Sequence, residues 1–214
     1  GVRNLKVSQH ANAAMILWDI APPSRWPRMI DRITDSQRLK LTAAPPVAPT
    51  GAVLDLHEDV VQANTYFGHF VNTALGKAGR FDLALHAIRE HFGPMLDTGT
   101  ETLWESFEPA ASLCHAFSAG AVYLLSAHVL GVTPLAPGFS RMRIAPQCAG
   151  LAFANGAYPT PHGTVSVQWR LHDGTLNLTV TVPSGCEAEV VTPHAAVATV
   201  GPGTHQFING VKQA

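Results

Sequence analysis

Between Thr100 and His115 the chain places three carboxylates (Glu101, Glu105 and Glu108), the aromatics Trp104 and Phe107, and a histidine. No Lys or Arg lies between Arg89 and Arg141, so these carboxylates have no neutralising partner close in sequence. Carboxylates beside aromatic faces suit sugar chemistry, in which one group moves a proton while a ring stacks on the pyranose. The plainer reading is a solvated acidic loop. If residues 101–105 are helical, Glu101 and Glu105 share a face and repel, which raises one pKa. If they are extended, Thr102, Trp104 and Ser106 face one way, and Glu101, Leu103 and Glu105 the other. Two plainer roles stay open as well: Trp104 as ordinary core, and His115 as a hydrogen-bonded residue at a helix start.

Other catalytic constellations fail on spacing. There is no H-E-x-x-H, and His86 and His91 fall on different faces of a helix, so no metal site is expected; the His57-Glu58-Asp59 cluster is a loop. A serine-hydrolase elbow fails because Ala116 stands where Phe117-Ser118-Ala119-Gly120 would need a preceding glycine. Cys114 and His115 are neighbours that diverge on a helix, and no glycine loop for phosphate appears. No cofactor is implied.

Composition bounds the partners. The 214 residues are 46% hydrophobic and 14% charged with a net charge of −1, which describes a globular protein without a nucleic-acid or anionic-membrane surface. Residues 1–40 hold seven Lys and Arg against three acids, whereas 55–108 hold nine acids against three bases, so anionic character gathers around Glu105. Three scattered cysteines (Cys114, Cys148 and Cys186) suggest free thiols and a reducing, cytoplasmic setting. No run reaches the roughly 20 apolar residues of a membrane span, and no signal-peptide pattern opens the chain. Gly1-Val2-Arg3, without Met, reads as a cut start.

The elements that must position these residues are helical first. Residues 7–20 predict a buried helix stopped by Pro22-Pro23, and Ser24 is placed to cap a second, with Met29, Ile30 and Ile33 inward. Periodicity lapses from about Thr34 to Ala63, where Pro45, Pro46, Pro49 and Gly51 interrupt regular structure. Residues 65–78 predict a third helix with Phe67, Phe70, Val71, Ala74 and Leu75 inward and Gly79 as its cap. A fourth runs from Phe81 to Phe92, ended by Gly93-Pro94, and a fifth from Ser112 to Leu130, ended by Gly131. Beyond Pro137-Gly138 the period becomes two. Residues 163–171 and 175–182 form a hairpin around Asp173-Gly174, with further strands at 141–146, 151–157, 187–192, 196–200 and 204–208. This pattern predicts helical hairpins over 1–136 and an antiparallel β-sandwich over 137–214.

Thr102-Leu103-Trp104-Glu105, Ser112-Leu113-Cys114-His115-Ala116-Phe117-Ser118-Ala119-Gly120, Leu130-Gly131-Val132-Thr133-Pro134 and Pro137-Gly138-Phe139 resemble the bacterial α-L-rhamnosidases of glycoside hydrolase family 78. Ser8-Gln9-His10-Ala11-Asn12-Ala13, Tyr66-Phe67-Gly68, Gly163–Trp169 and Val182-Pro183-Ser184-Gly185 extend the likeness over almost the whole chain, weakest at 35–60. The resemblance implies a partial (α/α)6 barrel followed by the family's C-terminal β-domain, and an inverting glycosidase that releases terminal α-L-rhamnose from rhamnosides. By motif match Glu105 would be the general base, His115 a sugar contact, and Trp104 or Tyr66 part of the pocket lining. The family's general-acid segment lies before anything matched here, so the chain alone is expected to be inactive. Its helices at 7–20 and 113–130, lacking neighbours, are expected to favour self-association. The reading from another class is a non-catalytic carbohydrate-binding or structural module.

Overall fold

The computed structural model describes residues 6–41, 54–108, 112–193, 196–209 and 211–213. The chain divides into two compact units, Gly1–Ala121 and Val122–Ala214.

In the first unit, β1 (Val7–Ser8) leads into α1 (Gln9–Leu17), and the Ser8 hydroxyl accepts from Ala11 N at 3.2 Å as its cap. Satisfying an orphan first-turn N–H in this way fixes where the helix starts. α2 (Trp26–Thr34) follows a single 3₁₀ turn, Pro23–Arg25, so Ser24 lies inside that turn and Arg25, without a side-chain bond, holds the cap position expected of it. Ile30 and Ile33 are buried and Met29 is half-buried.

The stretch expected to lack regular structure contains β2 (Leu39–Lys40) and β3 (Val60–Val61), which join β1 in a parallel sheet of order β1-β3-β2. Strands of two residues leave too short a pattern to read in sequence. Pro45, Pro46, Pro49 and Gly51 lie outside the described residues. Gln9 locks this corner: its amide donates to Ile33 O at 2.8 Å and accepts from Ala63 N at 2.7 Å.

α3 (Thr65–Lys77) packs against α1 and against α4 (Phe81–Leu96), with Ala13, Ile16, Val71, Ala74, Leu75, Phe81 and Leu85 in the shared core. Gly79 has the left-handed conformation expected of a cap residue, with φ 74°. Phe67, expected inside, is 37% exposed. α4 runs through Gly93-Pro94 to Leu96 rather than stopping there. A proline this close to a helix end forfeits little, since the final carbonyls lack helical partners in any case.

The fifth helix also differs from expectation. Residues 112–115 are not helical; a 3₁₀ turn at Ala116–Ala119 leads into α5 (Gly120–Leu124) and then a π turn, Leu125–Val129. The backbone of 112–115 is committed to tertiary hydrogen bonds, described below, and is not available to a helix.

The second unit begins within α5 and holds two sheets. One has the order β10-β9-β5-β4, from β4 (Val132–Pro134), β5 (Arg141–Ile144), β9 (Glu187–Val190) and β10 (Ala198–Val200). The other is antiparallel with order β12-β11-β8-β7-β6, from β6 (Phe153–Thr160), β7 (Gly163–His172), β8 (Thr175–Val182), β11 (Gly203–Ile208) and β12 (Val211–Lys212). The first sheet is not wholly antiparallel, because β5 pairs with β9 in parallel. Period-two burial holds as expected: Val165, Val167 and Trp169 on β7, and Leu176, Leu178, Val180 and Val182 on β8. Trp169 Nε1 donates to Val129 O at 2.8 Å and Gln147 N to His128 O at 2.8 Å, which ties residues 128–129 to the β-unit.

Two glycines separate two physical costs. Gly174, in the Asp173-Gly174 turn between β7 and β8, has φ 74° and open space around it. Gly131 has φ 77°, and a Cβ there would lie 2.2 Å from the Ala145 carbonyl carbon. Gly174→Ala should cost about 1 kcal/mol from backbone strain alone. Gly131→Ala adds a backbone clash and should cost clearly more, about 3 kcal/mol. Chemical denaturation of the two variants checks the order.

Candidate functional site

Residues 101–108 are neither helix nor strand and bend at Thr102 and at Glu105–Glu108, but the alternate burial of Trp104 and Ser106 agrees with the second of the two conformations open in sequence. Trp104 and Ser106 are buried, Glu105 is half-buried between them, and Glu101 takes a left-handed backbone with φ 54°. Two backbone bonds clip this segment to the returning chain: Glu105 N to Ser112 O and His115 N to Leu103 O, each 2.8 Å. The Thr102 hydroxyl adds a bond to Leu113 O at 2.6 Å. The clip brings Glu105 and His115, ten positions apart, side by side.

A second set of bonds seats the segment on the start of α3. Asn64 Oδ1 accepts from Thr65 N at 2.9 Å as the helix cap and from Phe107 N at 3.0 Å. Its Nδ2 donates to Ser106 Oγ at 3.1 Å. The buried Thr65 hydroxyl donates to Glu105 O, and the buried Ser118 hydroxyl donates to Trp104 O. One asparagine thus closes a helix end and holds a loop, which is why the Glu105 backbone is fixed although its side chain reaches solvent. Phe107 packs between His91, stacked at 4.6 Å, and Phe92, edge-on at 5.4 Å. Burial pushes the His91 pKa down.

Glu105 Oε2 lies 3.9 Å from His115 Nδ1, adjacent but beyond hydrogen-bonding distance, and accepts a long bond from Ser112 N at 3.4 Å. The side chains are 32% and 35% exposed, so both can reach a third group. His115 meets Phe117 at 4.4 Å between ring centroids, and Phe117 meets Tyr66 edge-on at 5.4 Å. Tyr66 is 50% exposed. A carboxylate, an imidazole and two accessible aromatic rings therefore form one continuous surface. Such a group can orient or deprotonate a water and can hydrogen-bond a hydroxyl while a ring covers an apolar face.

Of the four residues singled out in sequence, Glu105, His115 and Tyr66 join this surface. Trp104 does not present a free face: it is buried, its indole N–H bound to Thr100 Oγ1 at 3.2 Å and its backbone N–H directed at Met95 Sδ at 3.4 Å. Glu101 and Glu108 are exposed. Sequence reasoning passed over Phe117, Asn64 and Thr65. Asn64 carried a signal in its position, an Asx residue immediately before an apolar-periodic helix; Phe117 carried none, since its role depends on the clip. Among the described residues no group of three His, Cys, Asp or Glu could hold a metal ion, and no helix is long and apolar enough to cross a membrane. Cys114, Cys148 and Cys186 are free thiols.

Residues 131–206 match the model of the bacterial α-L-rhamnosidase C-terminal domain. An α-L-rhamnosidase of Alteromonas sp. (strain LOR) is 32% identical over 136 residues, covering 56% of this chain and 15% of that protein. The solved rhamnosidase of Bacillus sp. GL1, of glycoside hydrolase family 78, superposes with a TM-score of 0.69 at 28% identity over 88% of this chain and 19% of its own. These matches support a C-terminal fragment of an α-L-rhamnosidase. The Streptomyces avermitilis α-L-rhamnosidase complexed with L-rhamnose shares the fold, with a TM-score of 0.70 at 20% identity over 94% of this chain and 21% of that one. The chain thus spans about a fifth of such rhamnosidases or less.

Asn64→Ala removes the cap of α3 and two bonds to residues 106–107 at once. It should destabilise by about 1–2 kcal/mol. Asn64→Asp keeps the acceptor and should cost less. Denaturant melts, together with faster hydrogen exchange at the Phe107 amide in the alanine variant, check this.

Proposed function

We propose that this chain is the closing part of the catalytic (α/α)6 barrel of an inverting α-L-rhamnosidase, joined to its β-sandwich. The observation that carries the reading is the placement of the Glu105 carboxylate 3.9 Å from the His115 imidazole, which Phe117 links to the exposed ring of Tyr66. In an inverting glycosidase one carboxylate draws a proton from water as it attacks the anomeric carbon, and a second protonates the departing oxygen from the opposite side. Glu105 takes the first role. His115 bonds a sugar hydroxyl, and Tyr66 covers the deoxy-sugar's apolar edge, with Phe117 supporting both rings. Trp104, placed with the pocket lining by motif, acts from within the core by fixing the backbone of its neighbour Glu105.

The general acid has no counterpart among the matched motifs, so the chain by itself binds rather than turns over. The substrate class is a terminal α-L-rhamnoside; neither nucleic acid nor membrane is a partner. Aromatic rings left open at Tyr66, Phe67 and Phe117 would be covered by further barrel helices, and without them they favour association of copies.

An aryl α-L-rhamnoside incubated with the 214-residue chain should show no hydrolysis above buffer. In a longer protein that supplies the remaining helices, Glu105→Gln should lower kcat by about 10²–10⁴-fold. Turnover by the chain alone that Glu105→Gln abolishes would overturn the inactivity. Sugar binding by the chain, with full activity of the longer Glu105→Gln protein, would favour the non-catalytic binding module. Light scattering should give a mass above the monomer's 22.8 kDa, decreasing when Phe67 and Phe117 are changed to Ser.

A further inference from the structure

Tyr66 and Phe117 come from different segments, and a second contact lies one turn along from both. The 3₁₀ turn Ala116–Ala119 packs on α3. Residues i and i+3 eclipse in a 3₁₀ turn, so Phe117 and Gly120 share a side, and Tyr66 and His69 share a face of α3 by the same spacing. Phe117 meets Tyr66 edge-on, and Gly120 meets His69.

The Gly120 contact leaves no room for a side chain. A Cβ placed on Gly120 would lie 2.7 Å from His69 Nδ1 and 2.9 Å from both Cβ and Cγ of His69. Carbon atoms in ordinary contact are about 3.5–4.0 Å apart. Rotating the imidazole does not relieve the crowding, because the His69 Cβ is fixed to the backbone of α3. Backbone conformation gives no other reason for glycine, since φ −52° and ψ −31° suit any L residue. On the same helix, a Cβ at Gly68 would meet Phe107 at 3.6 Å, an ordinary contact. Close approach alone requires glycine at 120. His69 itself is half-buried and edge-on to Phe70 at 5.5 Å. Burial pushes its pKa down and hydrogen bonding to the Gly120 backbone partly opposes this, so a neutral imidazole faces the turn at neutral pH.

We infer that Gly120 and His69 are positioning residues of the sugar surface: the bare backbone of one against the ring of the other sets how near the 116–119 turn comes to α3, and with it the separation of Phe117 from Tyr66. The inference rests on the reading above that this surface holds a sugar. Ser118 pins the same turn from within, through its bond to Trp104 O. A side chain at 120 would need roughly 0.5–1 Å of extra room, and with Ser118 held, the exposed Phe117 is the part that gives way.

The test follows two readouts in the 214-residue chain: ring-to-ring NOEs between Tyr66 and Phe117, and the Kd for L-rhamnose from NMR titration. Gly120→Ala should weaken the NOEs and raise Kd about tenfold, the scale of a sub-ångström misplacement. Gly174→Ala, in a turn of the β-unit, should change neither and controls for lost stability. Adding His69→Ala to Gly120→Ala removes the ring that the new methyl group meets, and should restore part of both readouts. A merely destabilising alanine would not be rescued by a second truncation. His69→Ala alone, which removes the seat of the turn, should also weaken the NOEs and serves if Gly120→Ala does not fold. Unchanged NOEs in Gly120→Ala, or weakened NOEs with an unchanged Kd, overturn the inference, as does a double variant worse than Gly120→Ala. If the unaltered chain binds no L-rhamnose while Gly120→Ala still loses the NOEs, the seating of Phe117 stands and the sugar reading of the surface fails.

Discussion

Everything about the candidate site depends on how the backbone of residues 103–107 is held. An irregular segment that leaves its carboxylate open to solvent has no hydrogen-bond ladder of its own, and every N–H and C=O of it that is buried needs a partner. The partners come from three places: the returning chain at 112–115, the first turn of α3, and the Ser118 hydroxyl. Asn64 is the most economical of these, since one side chain caps the helix and bonds to both Ser106 and Phe107. The rigid backbone lets a half-exposed Glu105 keep one position relative to His115.

This arrangement explains the division of labour between adjacent residues. Burial alternates along the segment: Trp104 and Ser106 go inward to anchor it, while Glu105 between them is half-buried. The indole is worth more to the site as an anchor than as a stacking plane. The accessible rings are supplied by Tyr66, at the start of α3, and by Phe117, just after the clip. The same helix start therefore serves the backbone through Asn64 and Thr65 and the surface through Tyr66.

The β-unit is governed by simpler rules. Period-two burial along β7 and β8 and the left-handed Asp173-Gly174 turn fix their register without help from distant residues. The parallel β5–β9 pair is another matter: it joins segments more than forty positions apart, and strand pattern alone does not reveal which partner an apolar-alternating segment chooses. Likewise β1, β2 and β3 are too short for pattern and exist because Gln9 and the sheet's own bonds gather them.

By itself the sequence determined what local physics controls: the stripe on α3, the Gly79 cap, the alternating strands, the hairpin turn, and the motif that bears Glu105 and His115. It left two conformations open for residues 101–105 and two roles for Trp104. Tertiary structure decided both, because the hydrogen-bond partners of that segment lie up to forty positions away in the chain. It also overrode local preference at Ser112, whose backbone bonds Glu105 instead of starting a helix, and it brought Phe117 to His115. Periodicity records which face of an element is buried; it does not record which distant backbone will satisfy an irregular one. That is why the motif bearing Glu105 and His115 was legible in the sequence and the surface around it was not.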